Sequence, residues 1–226
     1  MSKIYWVIIF ILLVFLASYL FFSKKVIAPT LPLDNLNKQT VNNDVVDVNA
    51  STTQSELKQA ISLPMDNALE RVTKKSFGIK ISPQDSPIMP EKFSGYHTGV
   101  DFEVLSAEEN SKITIKAICD GKLLLKRQAS GYGGVMVQSC QLNGQAITVV
   151  YGHLSLASVS LAIGDSIKAG QTIALLGKGF SQETDGERKH LHLSIHLGSG
   201  INIRGYVDQV GELQSWLDPL TLLQNN

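Results

Sequence analysis

KHLHLSIHLG, residues 189–198, alternates polar and apolar side chains almost without a break. Leu191, Leu193 and Ile195 share one parity, and His190, His192, Ser194 and His196 share the other. A period of two is the signature of a strand with one face on a core. The other face of this strand carries three of the chain's five histidines. Similar short runs surround it: KITIKAI (112–118), GGVMVQS (133–139), AITVVYGHL (146–154) and QTIALLG (171–177). Glycines separate them, and Asp120-Gly121 and Asn143-Gly144 are hairpin signals. No repeat recurs at a fixed period. The expected fold is mostly β, an antiparallel sheet or sandwich of many short strands. Asp218-Pro219 is placed to start a short terminal turn of helix.

The first 25 residues differ in kind. Residues 4–22, IYWVIIFILLVFLASYLFF, hold no charge. As a helix they would span about 28 Å, enough for a bilayer core. The run is long, its n-region has only Lys3, and no small-x-small cleavage site follows. An uncleaved single-pass anchor over 1–25 is therefore expected in preference to a removed signal peptide. Residues 26–63 carry Pro, Asn and Asp with no sustained period and read as a linker, with a short helix at 53–62. The folded domain is expected over 64–226. Lys24 and Lys25 after the span would on their own keep that domain in the cytoplasm. The chain has 20 basic and 20 acidic residues and no basic patch, which argues against a nucleic-acid partner. Its two cysteines, Cys119 and Cys140, lie in strand-like runs and lack metal-site spacing. Outside the cytoplasm they can pair as a disulfide; otherwise they are two buried thiols.

Strand alternation points His190 and His192 into one space, about 6–7 Å apart. His196 lies about 13 Å further along, too far to share an ion with His192, and reads as an edge residue. In GYHTGVDFEV (95–104), His97 and Asp101 stand four apart around Gly99. Imidazole nitrogen and carboxylate oxygen both suit Zn²⁺. In VVYGHLS (149–155), His153 ends an apolar strand. Taken singly, each of these is ordinary: an exposed loop histidine, a capping aspartate, a strand-end histidine. Taken together, two histidines and a carboxylate make a three-ligand site whose fourth position is open for water. With His196 set aside, the other two histidines would then serve as general base and as stabiliser of a developing oxyanion.

The order H-x-x-x-D, then Y-x-H-L-S, then H-x-H resembles the lysostaphin/LytM-type zinc metallo-endopeptidases that cut peptidoglycan. The similarity runs from about Phe77 to Leu220. FGIKISP (77–83) resembles the family's entry segment, Asp120-Gly121 its first hairpin turn, IGDSIKAGQTIALLG (163–177) its final hairpin and LDPL (217–220) its closing segment. The resemblance implies one Zn²⁺ held by His97, Asp101 and His192, with His190 and His153 as the catalytic pair, the base among them left open. It implies hybrid-motif hairpins, hydrolysis by zinc-activated water, and stem or bridge peptides of peptidoglycan as substrate. That substrate requires the domain to lie outside the cytoplasmic membrane, against the Lys24-Lys25 signal.

There are departures from the family's pattern. Lys189 stands where a proline usually precedes H-x-H, and GKGFSQETDGERK (177–189) is longer than the family's usual link. That loop reads either as a solvated insertion or as a cleft wall that sets peptide specificity. Some relatives are catalytically silent and act as wall-binding or amidase-regulating modules, with or without a protein activator of their own. A carrier domain of the lipoyl or biotinyl kind fits 163–177 but leaves four histidines unexplained.

Overall fold

The computed structural model describes residues 60–225. The chain divides into two units, 1–53 and 54–226, and the first lies wholly outside the described residues. The expected anchor, the linker up to residue 59 and most of the expected 53–62 helix therefore lie outside them too. Among the described residues, no helix is long and apolar enough to cross a membrane.

The described residues are mostly β and antiparallel throughout, as expected. In chain order the strands are β1 (Lys80–Ile81), β2 (Gly95–His97), β3 (Gly99–Glu103), β4 (Thr114–Lys116), β5 (Gly121–Ala129), β6 (Gly133–Leu142) and β7 (Gln145–Gly152). There follow β8 (Leu154–Ser155), β9 (Ser166–Ile167), β10 (Thr172–Leu176), β11 (His190–Leu197), β12 (Tyr206–Val207) and β13 (Trp216–Leu217). A short helix, α1 (Pro219–Gln224), closes the chain. Pro219 fixes its first turn, and the Asp218 carboxylate caps it by accepting from the Leu220 N–H at 2.9 Å.

The principal sheet runs β13-β11-β7-β6-β5-β9, with β3 also paired to β11. Two three-stranded sheets, β1-β2-β12 and β4-β10-β8, flank it. The 189–198 run forms β11, next to one end of the principal sheet and paired along both of its edges. One edge of β11 pairs with β7, and the other pairs with β3 and then β13. Leu191, Leu193 and Ile195 are fully buried beside Val100, Phe102 and Val149. Each such side chain contributes about 1.5–3 kcal/mol by leaving water. The histidine face is thereby fixed in register, because a slip of one residue would turn those three chains outward.

Asn143 and Gly144 both take positive φ, 49° and 78°, and turn β6 into β7 as a two-residue hairpin. The other two expected hairpins differ. Asp120-Gly121 joins two sheets and does not close a hairpin: β4 pairs with β10, whereas β5 pairs with β6 and β9. Gly121 is needed there for close approach, since a Cβ would lie 1.6 Å from the Ser139 carbonyl oxygen. In 163–177 the chain does turn, with the Gln171 N–H donating to the Lys168 carbonyl at 3.0 Å. Its arms then part, β9 to β5 and β10 to β4 and β8. Cys119 and Cys140 are joined as a disulfide across 21 residues, with Cα atoms 6.2 Å apart.

The contact at Gly121 gives a stability prediction. Gly121→Ala forces backbone against backbone and should cost about 3 kcal/mol. A lower urea midpoint at unchanged slope would show it; an unaltered midpoint would mean that β5 and β6 can separate freely there.

Candidate metal centre

Antiparallel pairing of β3 with β11 sets Asp101 opposite His192 and Glu103 opposite His190. Gly99 permits this pairing, because a Cβ would stand 2.3 Å from the Leu193 carbonyl oxygen. β2 ends on His97, whose ring stacks on Tyr206 of β12 with centroids 5.1 Å apart. Three donor atoms converge as a result. His97 Nε2 lies 3.0 Å from His192 Nδ1 and 3.4 Å from Asp101 Oδ1, and Asp101 Oδ1 lies 3.2 Å from His192 Nδ1. These separations lie at or a little below the edges of a tetrahedron around a metal ion. Arms of about 2.0–2.1 Å, the usual zinc–nitrogen and zinc–oxygen lengths, give edges of about 3.3–3.4 Å. His97 Nδ1 faces the Ser76 carbonyl at 3.2 Å, which leaves the Nε2 lone pair for a cation. The three residues are buried and could hold a metal ion.

His190 and His153 adjoin this trio. Their ring centroids are 4.2 Å apart. His190 Nδ1 lies 2.9 Å from the Arg188 carbonyl, which can only accept, so Nδ1 carries the proton and Nε2 is the basic nitrogen. His153 has a φ of 63°, uncommon for a residue with a side chain, and its carbonyl accepts from the Gly177 N–H at 2.8 Å. Its Nδ1 is buried without a partner among the described residues. A cavity of about 310 Å³ opens over these groups, lined among others by Tyr132, His153, Arg188, His190, His192 and Tyr206. His196 stays outside it, edge-on to Trp216 at 4.8 Å.

The sequence reading gave Tyr132 no site role, and gave Arg188 and Glu187 none beyond membership of a loop that could wall the cleft. Arg188 reaches Asp101 from the long 177–189 loop, and Glu187 beside it also lines the cavity. Tyr132, in the run SGYGG, points a buried hydroxyl, without a partner among the described residues, beside Gly205. Glycines on both sides of an aromatic residue were the available signal for Tyr132. For Arg188 there was only its nearness to H-x-H.

Burial chiefly keeps His153 and His192 from charging. It holds His153 well below the usual histidine range and lowers His192 to about 4. Burial pushes Asp101 upward, but the neighbouring His190 and His97 rings and its contacts with His190 and His192 outweigh it and hold the carboxyl well below its usual range. Neutral imidazoles and an ionised carboxylate are the forms that bind metal. The same shifts set a pH dependence for the metal-free protein. Between 6.5 and about 4 the unfolded chain takes up a proton that folded His192 refuses. Stability is therefore complete above the unfolded value and falls as the pH drops through this window. His192 alone accounts for about 3 kcal/mol, and His153 acts in the same direction. Urea midpoints of chelator-treated protein should fall steadily from pH 7 to pH 4.5; a flat profile would contradict the burial of neutral rings.

Comparison with known proteins places these residues in context. Residues 95–203 match the family model described as Peptidase family M23. The murein hydrolase activator EnvC of Escherichia coli (strain K12) is 37% identical over 79 residues, covering 35% of this chain and 17% of EnvC. The match thus spans about a sixth of that relative's length. Among solved structures, the catalytic domain of lysostaphin from Staphylococcus simulans is 23% identical, covers 69% of this chain and 95% of that one, and has a TM-score of 0.47. LytU is 25% identical, with 69% and 85% covered and a TM-score of 0.47.

Proposed function

We propose that this chain, which carries a peptidase family M23 domain over residues 95–203, is a zinc metallo-endopeptidase that cleaves peptide cross-links of bacterial peptidoglycan. The observation that carries the reading is the convergence of His97 Nε2, Asp101 Oδ1 and His192 Nδ1 at zinc-ligand spacing, with two further histidines beside them under one cavity. Bound there, Zn²⁺ would supply Lewis acidity, polarising a carbonyl oxygen and bringing the pKa of a water down to about 7.

The chain's own residues supply the remainder. His190, with its Nδ1–H held by the Arg188 carbonyl, keeps Nε2 free to take a proton from the attacking water and return it to the leaving amine. His153, kept neutral by burial, offers an N–H to the carbonyl oxygen as negative charge develops on it. The cavity gives room over these groups to hold a peptide segment in place.

The match to EnvC, a murein hydrolase activator, favours a second reading, a domain of the same fold that activates a wall hydrolase, such as an amidase, in place of cutting peptides itself. Muropeptide analysis separates the two. Full-length protein in detergent should convert cross-linked dimers of purified sacculi into monomers without help. Release only after an amidase is added would establish the regulator.

We place the domain outside the cytoplasmic membrane, tethered by the 4–22 span, because the substrate lies there. Protease added to intact spheroplasts should digest residues 26–226. Protection of that segment until lysis would overturn this placement.

A further inference from the structure

The 177–189 loop is closed on itself and fastened to its surroundings. The Phe180 N–H donates to the Glu187 carbonyl at 2.7 Å, and the Gly186 N–H donates to the Ser181 carbonyl at 2.8 Å. The Asp185 carboxylate accepts from the Gly131 N–H at 2.7 Å, which ties the loop to the β5–β6 turn. Glu183 accepts from the Ser155 hydroxyl and, at 2.8 Å, from the Lys178 N–H. At the loop's end the Lys189 ammonium donates to the carbonyls of Glu108, Glu109 and Ser111. A loop held at so many points presents its last side chains in a fixed place.

One of those is Arg188. Its Nη2 donates to Asp101 Oδ2 at 2.8 Å, and its Nε donates to both oxygens of Glu103 at 3.1 and 3.0 Å. Lys74 also pairs with Glu103, at 3.5 Å. Asp101 therefore has its two oxygens divided. Oδ1 faces the His97 and His192 nitrogens, and Oδ2 faces the guanidinium, with His190 Nε2 at 3.3 Å. The carbonyl of the same Arg188 accepts from His190 Nδ1.

We infer that Arg188 is a positioning residue of this centre: its guanidinium keeps Asp101 Oδ2 away from the ion, so that Asp101 binds through Oδ1 alone, and its carbonyl aims His190. The inference rests on the metal-site reading above. A planar fork is suited to the task, because it can grip Asp101 and Glu103 at once, which a lysine ammonium cannot do with the same fixed geometry. Glu103 is the buttress that holds the fork in plane.

Cobalt(II) loaded into the detergent-solubilised full chain tests this, since its visible absorption is strong in four-coordinate sites and weak at higher coordination. Wild type should show the strong band. Arg188→Ala and Arg188→Lys should both weaken it as the second Asp101 oxygen joins the ion, with kcat on cross-linked muropeptide down about 10- to 100-fold and KM little changed. The lysine variant keeps the charge and guards against misfolding of the alanine variant. Unchanged spectra in both variants, whether or not activity falls, would overturn the assignment. A strong wild-type band that weakens in the variants, without muropeptide cleavage by any of the proteins, would uphold Arg188 and reject the hydrolase. No cobalt bound by wild type would reject the metal site and Arg188 with it.

Discussion

His192→Ala is expected to leave a protein that binds no zinc and releases no muropeptides above background, a loss of at least about a thousand-fold. His192 Nδ1 stands within 3.0 and 3.2 Å of the other two donors and completes the site. Without it, one imidazole and one carboxylate oxygen remain, too few for a catalytic zinc, which needs three protein ligands. The fold should survive, because β11 is held through Leu191, Leu193 and Ile195 on its other face. Elemental analysis and sacculus digestion check both halves. Compared without metal, variant and wild type should melt within a few degrees of each other. A variant that kept its zinc would mean that the ligands lie elsewhere.

The second large effect separates chemistry from binding. His190→Ala should keep its zinc and lose about 10²- to 10⁴-fold in turnover, the usual contribution of a positioned acid–base group. The separation follows from geometry. His190 Nε2 faces Asp101 Oδ2, the oxygen turned away from the His97 and His192 nitrogens, so the imidazole is not one of the three converging donors. His153→Ala should behave alike. The double variant should lose little more than either single one, because in the proposed mechanism both rings serve one transition state, His190 at the proton and His153 at the carbonyl oxygen. Single-turnover assays on a purified cross-linked dimer measure this. Multiplied losses in the double variant would show that the two histidines act independently.

Much of this was legible in the chain, and the reason is strand periodicity. In KHLHLSIHLG the alternation alone put Leu191 inward and His190 and His192 together. The i, i+4 pair His97 and Asp101 could be read as well, because imidazole nitrogen and carboxylate oxygen both suit a metal; the close approach of Gly99 to the Leu193 carbonyl could not, because it is a contact with another strand. Asn143-Gly144 was read as a hairpin and is one, since both residues take the positive φ that such a turn requires. Asp120-Gly121 looked the same and differs: its glycine answers to the Ser139 carbonyl, a contact with another strand that a local pattern does not record. The 163–177 segment shows the same limit, because its turn is local but the partners of its two arms are not. Arg188 was legible only as a charge in a loop. Its place at Asp101 depends on how that loop is fastened at Asp185, Glu183 and Lys189, three contacts to three separate parts of the chain.

The measurement that tests the central claim most directly is cleavage of cross-linked muropeptide dimer as a function of zinc occupancy in the purified full-length protein. Zinc stripped by chelator and returned in steps should restore cleavage in proportion, with saturation at one zinc per chain. Full cleavage by zinc-free protein, or none with the site filled, would contradict it.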